Sequence, residues 1–133
     1  MNPLRVLIID GHPAVGKALT LLLDRTRNLQ VVGFADSGEQ GLRQALAEQP
    51  DAALVDFELP GMSGCVVICL LRTWLPRLRV IALGTYPERR GQSLAAGAHE
   101  FVLKDAGYEA LDAAIRGGPA GRDDDPAERQ EHA

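Results

Sequence analysis

Five short apolar runs, separated by segments of helical periodicity, leave this chain few ways to fold. The runs are Arg5 to Ile9, Gln30 to Ala35, Ala52 to Asp56, Arg79 to Leu83 and Glu100 to Leu103. Val, Ile, Leu and Phe dominate them with little alternation of apolar and polar residues, the pattern of strands covered on both faces. Between them, Val15 to Arg27 places Leu19, Leu22 and Leu23 at helical spacing. Glu39 to Glu48 places Leu42, Ala45 and Leu46 on one face, behind Ser37 as N-cap. Gly64 to Trp74 and Tyr108 to Arg116 read the same way, the latter with Leu111, Ala114 and Ile115 inward. Pro87 to Ala96 holds few large apolar residues and predicts a short or mobile helix.

Strands alternating with helices predict an α/β fold, with a parallel sheet and helices on both faces. Right-handed crossovers favour a flavodoxin-like (βα)5 three-layer sandwich of five parallel strands in the order 2-1-3-4-5. A length of 133 residues suits one domain. From Pro119 to Ala133 two arginines (Arg122, Arg129) face five acids (Asp123, Asp124, Asp125, Glu128, Glu131), so this stretch carries three of the four net negative charges. It has almost no large apolar residue and cannot bury enough to repay ordering. The expected organisation is a folded domain at 1–117 and an acidic disordered tail at 118–133.

The net charge of −4 argues against direct nucleic-acid binding, which usually leaves a basic excess. Two cysteines make no disulfide framework and suit a reducing compartment. No apolar run approaches the roughly 20 residues of a membrane span, and the start of the chain does not read as a signal peptide. A cytoplasmic protein with no membrane partner is expected.

In a doubly wound sheet, function gathers at the carboxyl ends of the strands. The first run ends in Asp10-Gly11-His12-Pro13, the third in Asp56, the fourth in Gly84 and Thr85, and the fifth in Lys104. Two carboxylates, a hydroxyl and an ammonium therefore converge on one rim. Such carboxylates suit a hard cation such as Mg²⁺, a lysine beside them can pair with a phosphoryl group, and a carboxylate can itself become an acyl phosphate.

On these residues the chain resembles the receiver domain of bacterial two-component response regulators. The matching stretches are Val-Leu-Ile-Ile-Asp-Gly-His-Pro at 6–13, Asp56 with Pro60-Gly61-Met62-Ser63-Gly64, Ala96-Gly97-Ala98, and Phe101-Val-Leu-Lys104-Asp105. The resemblance covers about residues 4–117, and the His-Pro and Lys-Asp pairs are similar to receivers of LuxR-type regulators. It implies a signalling switch rather than an enzyme. Asp56 would accept a phosphoryl group from a histidine kinase or phosphotransfer protein, Asp10 would help hold Mg²⁺, and Lys104 would pair with Asp56 and its phosphate. Phe101 would be the aromatic whose packing switches the face made by the fourth and fifth helices, through which a homodimer is also implied.

Two positions depart from the family's pattern. Gly11 stands where a second acid usually ligates the metal, and Gly84 where a Ser or Thr usually ends the fourth strand. The segment from Gly84 to Gly97 is also about two residues short of the family's spacing. Weakened Mg²⁺ binding is expected. Glu58 is the candidate for the vacated metal position, and Thr85 the candidate substitute hydroxyl. The same two glycines support a second reading, an atypical receiver acting as a phosphorylation-independent protein-interaction module.

Asp10-Gly11-His12 with Gly16 is also similar to the Asp-x-His-x-x-Gly loop of cobalamin-binding domains, where His ligates cobalt. The spacing to Gly16 is one residue too long, and Asp56, the Pro60-Gly61 turn and Lys104 go unexplained. Cys65 and Cys69 read as small apolar residues in or near the core, and Trp74 as packed on the core at the end of its helix. His12 reads as a loop residue before the first helix and His99 as a surface-turn residue. With His132 in the tail, the three histidines are too dispersed for a zinc site. Arg89 and Arg90 read as solvated residues on the output face.

Overall fold

The five apolar runs form one parallel sheet in a computed structural model of the chain, which describes residues 2–117. The tail expected at 118–133 lies outside the described residues. In chain order the elements are β1 (Leu4–Ile9), α1 (Pro13–Asp24), β2 (Leu29–Ala35), α2 (Gly38–Glu48), β3 (Ala52–Asp56) and α3 (Gly64–Trp74). There follow β4 (Arg79–Gly84), a single 3-10 turn (Pro87–Arg89), α4 (Arg90–Ala96), β5 (Glu100–Leu103) and α5 (Tyr108–Arg116). The strand order is β2-β1-β3-β4-β5, as the sequence predicts.

Successive strand residues point to opposite sides of the sheet, and here both sides are apolar. Leu7 and Ile9 of β1, Ala53 and Val55 of β3, and Val80 and Ala82 of β4 pack with Leu42 and Ala45 of α2 and Val67, Ile68 and Leu71 of α3. The alternate residues Val6, Ile8, Leu54, Ile81 and Leu83 pack with Leu23 of α1 and Leu111, Ala114 and Ile115 of α5. This two-sided burial explains why the strands lack apolar–polar alternation. Truncating one of these large aliphatic side chains to Ala would cost about 2–5 kcal/mol.

Local chemistry sets the helix starts. Ser37 Oγ accepts from the Gln40 N–H at 3.2 Å and Ser63 Oγ from the Val66 N–H at 3.3 Å, each capping its helix. Helix α1 begins two residues before the expected Val15, because Pro13 sits at its first position, where a missing N–H costs nothing. The weak stretch at 87–96 splits into the 3-10 turn and the seven-residue α4.

Three side chains depart from their expected places. Trp74 is 46% exposed rather than packed on the core, Leu46 faces outward, and Cys69 is exposed while Cys65 is half-buried. In each case the buried stripe is narrower than the apolar content of the helix suggests. In α3 Val67, Ile68 and Leu71 fill the interface and turn Cys69 and Trp74 to the rim. No helix among the described residues is long and apolar enough to cross a membrane.

Candidate functional site

Strand register brings the two acids together. Ile9 pairs with Val55, so Asp10 and Asp56 stand side by side, each the first residue its strand offers to the rim. Both are fully buried. On the far side Gly84 pairs with Leu103, and the Lys104 N–H donates to the Gly84 carbonyl at 2.8 Å, which points the chain of Lys104 back along the rim.

Lys104 Nζ lies 3.1 Å from Asp10 Oδ2 and 3.3 Å from Asp56 Oδ1. The first contact is an ion pair without an aligned hydrogen bond. Asp56 Oδ1 also accepts from the Glu58 N–H at 3.0 Å, and Asp56 Oδ2 from the Gly11 N–H at 3.4 Å. Burial holds the Asp56 carboxyl above its ordinary value, the Asp10 carboxylate pushes it further up, and Lys104 with the Glu58 N–H pulls it partly back. The site is thus two carboxylates forced together and kept tolerable by one ammonium.

A third ligand group joins them. His12 Nδ1 lies 3.2 Å from Asp10 Oδ1 and 3.7 Å from Asp56 Oδ2, and the His12 N–H donates to Asp10 Oδ1 at 2.8 Å. The candidate ligand atoms of Asp10, His12 and Asp56 all lie within 4.8 Å of one another. Sequence reasoning left His12 in a loop and missed this. Its position follows from Pro13, because a residue before proline is held out of the helical region. His12, at φ −108° and ψ 102°, occupies the N-cap position but makes no side-chain cap. Its ring turns to the acids instead.

Glu58, the expected third oxygen donor, is directed elsewhere. Its own N–H serves Asp56, while its Oε1 accepts from the Thr85 N–H at 3.1 Å. Glu58 Oε2 is buried without a hydrogen-bond partner among the described residues. Thr85 is exposed, one residue beyond the end of β4. Both departures from the family pattern are packed against neighbours. A β-carbon on Gly11 would stand 2.6 Å from Pro60 Cδ, and one on Gly84 would stand 2.5 Å from Phe101 Cε1. In the loop between β3 and α3 Gly61 takes φ +74°, a left-handed turn position that favours glycine.

His99, expected in a surface turn, is half-buried and structural. Its Nδ1 accepts from the Val80 N–H at 3.0 Å and its own N–H donates to the Val80 carbonyl at 2.8 Å, continuing the β4–β5 pairing. Arg89 and Arg90 are exposed, as expected.

A divalent cation fits the donor set. Asp10 Oδ1 and Asp56 Oδ2 face the same imidazole, while their other oxygens are held by Lys104. Two carboxylates are the protein share that Mg²⁺ usually takes, waters and phosphate oxygens completing its shell.

Comparisons with known proteins agree with this geometry. The family model of the response regulator receiver domain matches residues 6–116. The chain is 36% identical over 118 residues to the response regulator GacA of Pseudomonas viridiflava, covering 85% of this chain and 54% of that protein. It is 33% identical over 122 residues to the nitrate/nitrite response regulator NarL of Escherichia coli K12, covering 90% and 56% respectively. The chain therefore spans about half the length of these curated relatives. Among solved structures, the signal receiver domain of NarL from Mycobacterium tuberculosis superposes with a TM-score of 0.77 at 32% identity, covering 86% of this chain and 98% of that one. A CheY-like receiver domain protein from Methanospirillum hungatei gives 0.79 at 25% identity, covering 87% and 93%. Sheet order, buried acid pair, lysine and sequence likeness agree that the chain belongs to the response regulator receiver domain family of two-component signalling.

Proposed function

We propose that this chain is a phosphoryl-accepting switch with Asp56 as the acceptor. The observation that carries the reading is Lys104 Nζ at 3.3 Å from Asp56 Oδ1, beside a second fully buried carboxylate. The donor is a phosphohistidine on a histidine kinase or phosphotransfer protein. An Asp56 carboxylate oxygen attacks phosphorus, the phosphorus–nitrogen bond breaks, and its electron pair leaves on the imidazole, giving an acyl phosphate on Asp56. Lys104 pairs with the new phosphate oxygens. Asp10 and Asp56 would hold a divalent cation, Mg²⁺ or a similar ion, which would supply positive charge to offset that of the transferring group.

The signal leaves along β5. Lys104, just after β5, is bonded through its N–H to the end of β4, and Phe101 lies three residues upstream in β5. Beside Phe101 is a groove of about 330 Å³ lined by Pro87, Arg90, Ala106 and Ala110. Here, on the face of α4, β5 and α5, we place the partner contact and homodimerisation. The chain acts in the cytoplasm as a binding switch rather than an enzyme, and does not itself contact nucleic acid.

A specific observation favours a second reading, a phosphorylation-independent interaction module. Gly84 has no hydroxyl to follow a phosphate, and the Phe101 ring already fills the space above it. Intact mass after incubation with acetyl phosphate and Mg²⁺ separates the two. A phosphoryl adduct on the wild type, absent from Asp56→Ala, supports the acceptor. No adduct, together with no saturation by beryllofluoride, supports the second reading.

A further inference from the structure

The donor atoms at the rim are not those of an all-oxygen site. We infer that Asp10, His12 and Asp56 bind a late first-row divalent transition ion, such as Co²⁺ or Zn²⁺, with His12 Nδ1 as a direct ligand. This deepens the reading above, since the ion would occupy the same rim as the phosphoryl group.

Geometry comes first. Two ligand atoms each about 2.1 Å from an ion stand roughly 3.0 Å apart at a right angle and 3.4 Å apart at the tetrahedral angle. His12 Nδ1 stands 3.2 Å from Asp10 Oδ1 and 3.7 Å from Asp56 Oδ2. Small side-chain movements close this set on an ion. The carboxylates are already oriented, because Lys104 takes Asp10 Oδ2 and Asp56 Oδ1 and leaves the opposite oxygens towards the imidazole. Such outer partners fix ligand direction in metal sites. Pro13 restricts the backbone that carries the ring. The His12 side chain is 64% exposed, so an ion has an entry path and positions remain for water or a phosphate oxygen.

Donor chemistry comes second. Mg²⁺ takes oxygen ligands in strict octahedral geometry, whereas imidazole suits the later first-row ions. The two side chains that could add a carboxylate to the set are turned away or missing. A β-carbon at residue 11 meets Pro60 Cδ at 2.6 Å, and Glu58 Oε1 is bonded to the Thr85 N–H. Binding through Nδ1 requires the neutral tautomer with its proton on Nε2, so that the Nδ1 lone pair faces the ion.

The test is titration of the full chain with CoCl₂ and MgCl₂, followed by calorimetry and by the visible spectrum of Co²⁺. A background of Cys65→Ser, Cys69→Ser and His132→Ala removes competing soft donors. We expect His12→Ala to lose Co²⁺ affinity by about tenfold or more and to alter its spectrum, while Mg²⁺ affinity changes by less than about twofold. Circular dichroism checks the fold, and His12→Gln, which keeps bulk without an imidazole, should behave like His12→Ala. Undiminished Co²⁺ binding by both variants, or no Co²⁺ binding by the wild type, overturns the inference. No phosphoryl donor is present, so its outcome is independent of whether Asp56 is phosphorylated.

Discussion

The ring of Phe101 occupies the space that a side chain on Gly84 would need, with Cε1 2.5 Å and Cζ 2.6 Å from the position of a β-carbon there. Phe101 pairs with Ala82 across the β4–β5 ladder, and Gly84 follows Ala82 on the same face, so the buried ring lies along the strand over the glycine. Installing a hydroxyl at this position therefore also displaces the aromatic. Gly84→Ser should cost about 1–3 kcal/mol by overpacking. In a Phe101→Leu background, where the ring is gone, most of that cost should vanish. Urea midpoints of the two single variants and the double variant measure the coupling, and simple additivity would refute the contact.

Lys104 sets its ammonium against two buried carboxylates. Lys104→Met keeps the aliphatic stem and deletes the charge, leaving Asp10 and Asp56 to repel each other. A loss of about 3 kcal/mol is expected at neutral pH, the size typical of breaking a mostly buried ion pair from one side. The loss should shrink in acid, as protonation of Asp56 removes the repulsion. A pH-independent cost would assign the effect to packing of the stem instead.

Burial and Asp10 raise the Asp56 carboxyl above its ordinary value of 3.8. The folded chain then holds this proton more tightly than the unfolded chain does. Asp56 accordingly favours folding below 3.8, and that contribution is lost as pH rises through the higher folded value. Asp56→Asn removes the ionisation and keeps the shape. It should raise stability at neutral pH by about 1 kcal/mol, a common gain when strain at a functional site is relieved. The gain over wild type should narrow in acid, which paired thermal melts across the acid-to-neutral range would show.

Strand number and the acid–lysine rim were legible because each depends on a short-range signal, while the strand order followed from the handedness of βαβ crossovers. Apolar runs mark buried strands, and a polar residue ending such a run must emerge at the rim, as Asp10, Asp56 and Lys104 do. His12 was not legible, since its ring direction depends on Pro13 holding an extended backbone and on where Asp10 ends up in three dimensions. Trp74 and Leu46 were misplaced for a related reason. Helical spacing gives the phase of an apolar stripe but not how much of its width a neighbouring strand can cover. The packing of Pro60 on Gly11 and of Phe101 on Gly84 joins residues distant in sequence, and nothing local announces it.

Glu58 offers a sharp comparison with His12. Its N–H is bonded to Asp56 Oδ1 at 3.0 Å, so its backbone belongs to the site. Its carboxylate instead reaches the residue after β4, where Oε1 accepts from the Thr85 N–H, while Oε2 is buried without a hydrogen-bond partner among the described residues. Glu58→Gln keeps an oxygen for Thr85 and replaces the carboxylate with a neutral amide. Stability should stay within about 1 kcal/mol of wild type, the scale of one neutral hydrogen bond. Divalent affinity should change by less than about twofold, if Asp10 and Asp56 hold the ion without this carboxylate as proposed. Calorimetric titration with MgCl₂ decides it. A tenfold weakening in Glu58→Gln would mean that the side chain leaves Thr85 when an ion binds and supplies the oxygen that Gly11 cannot.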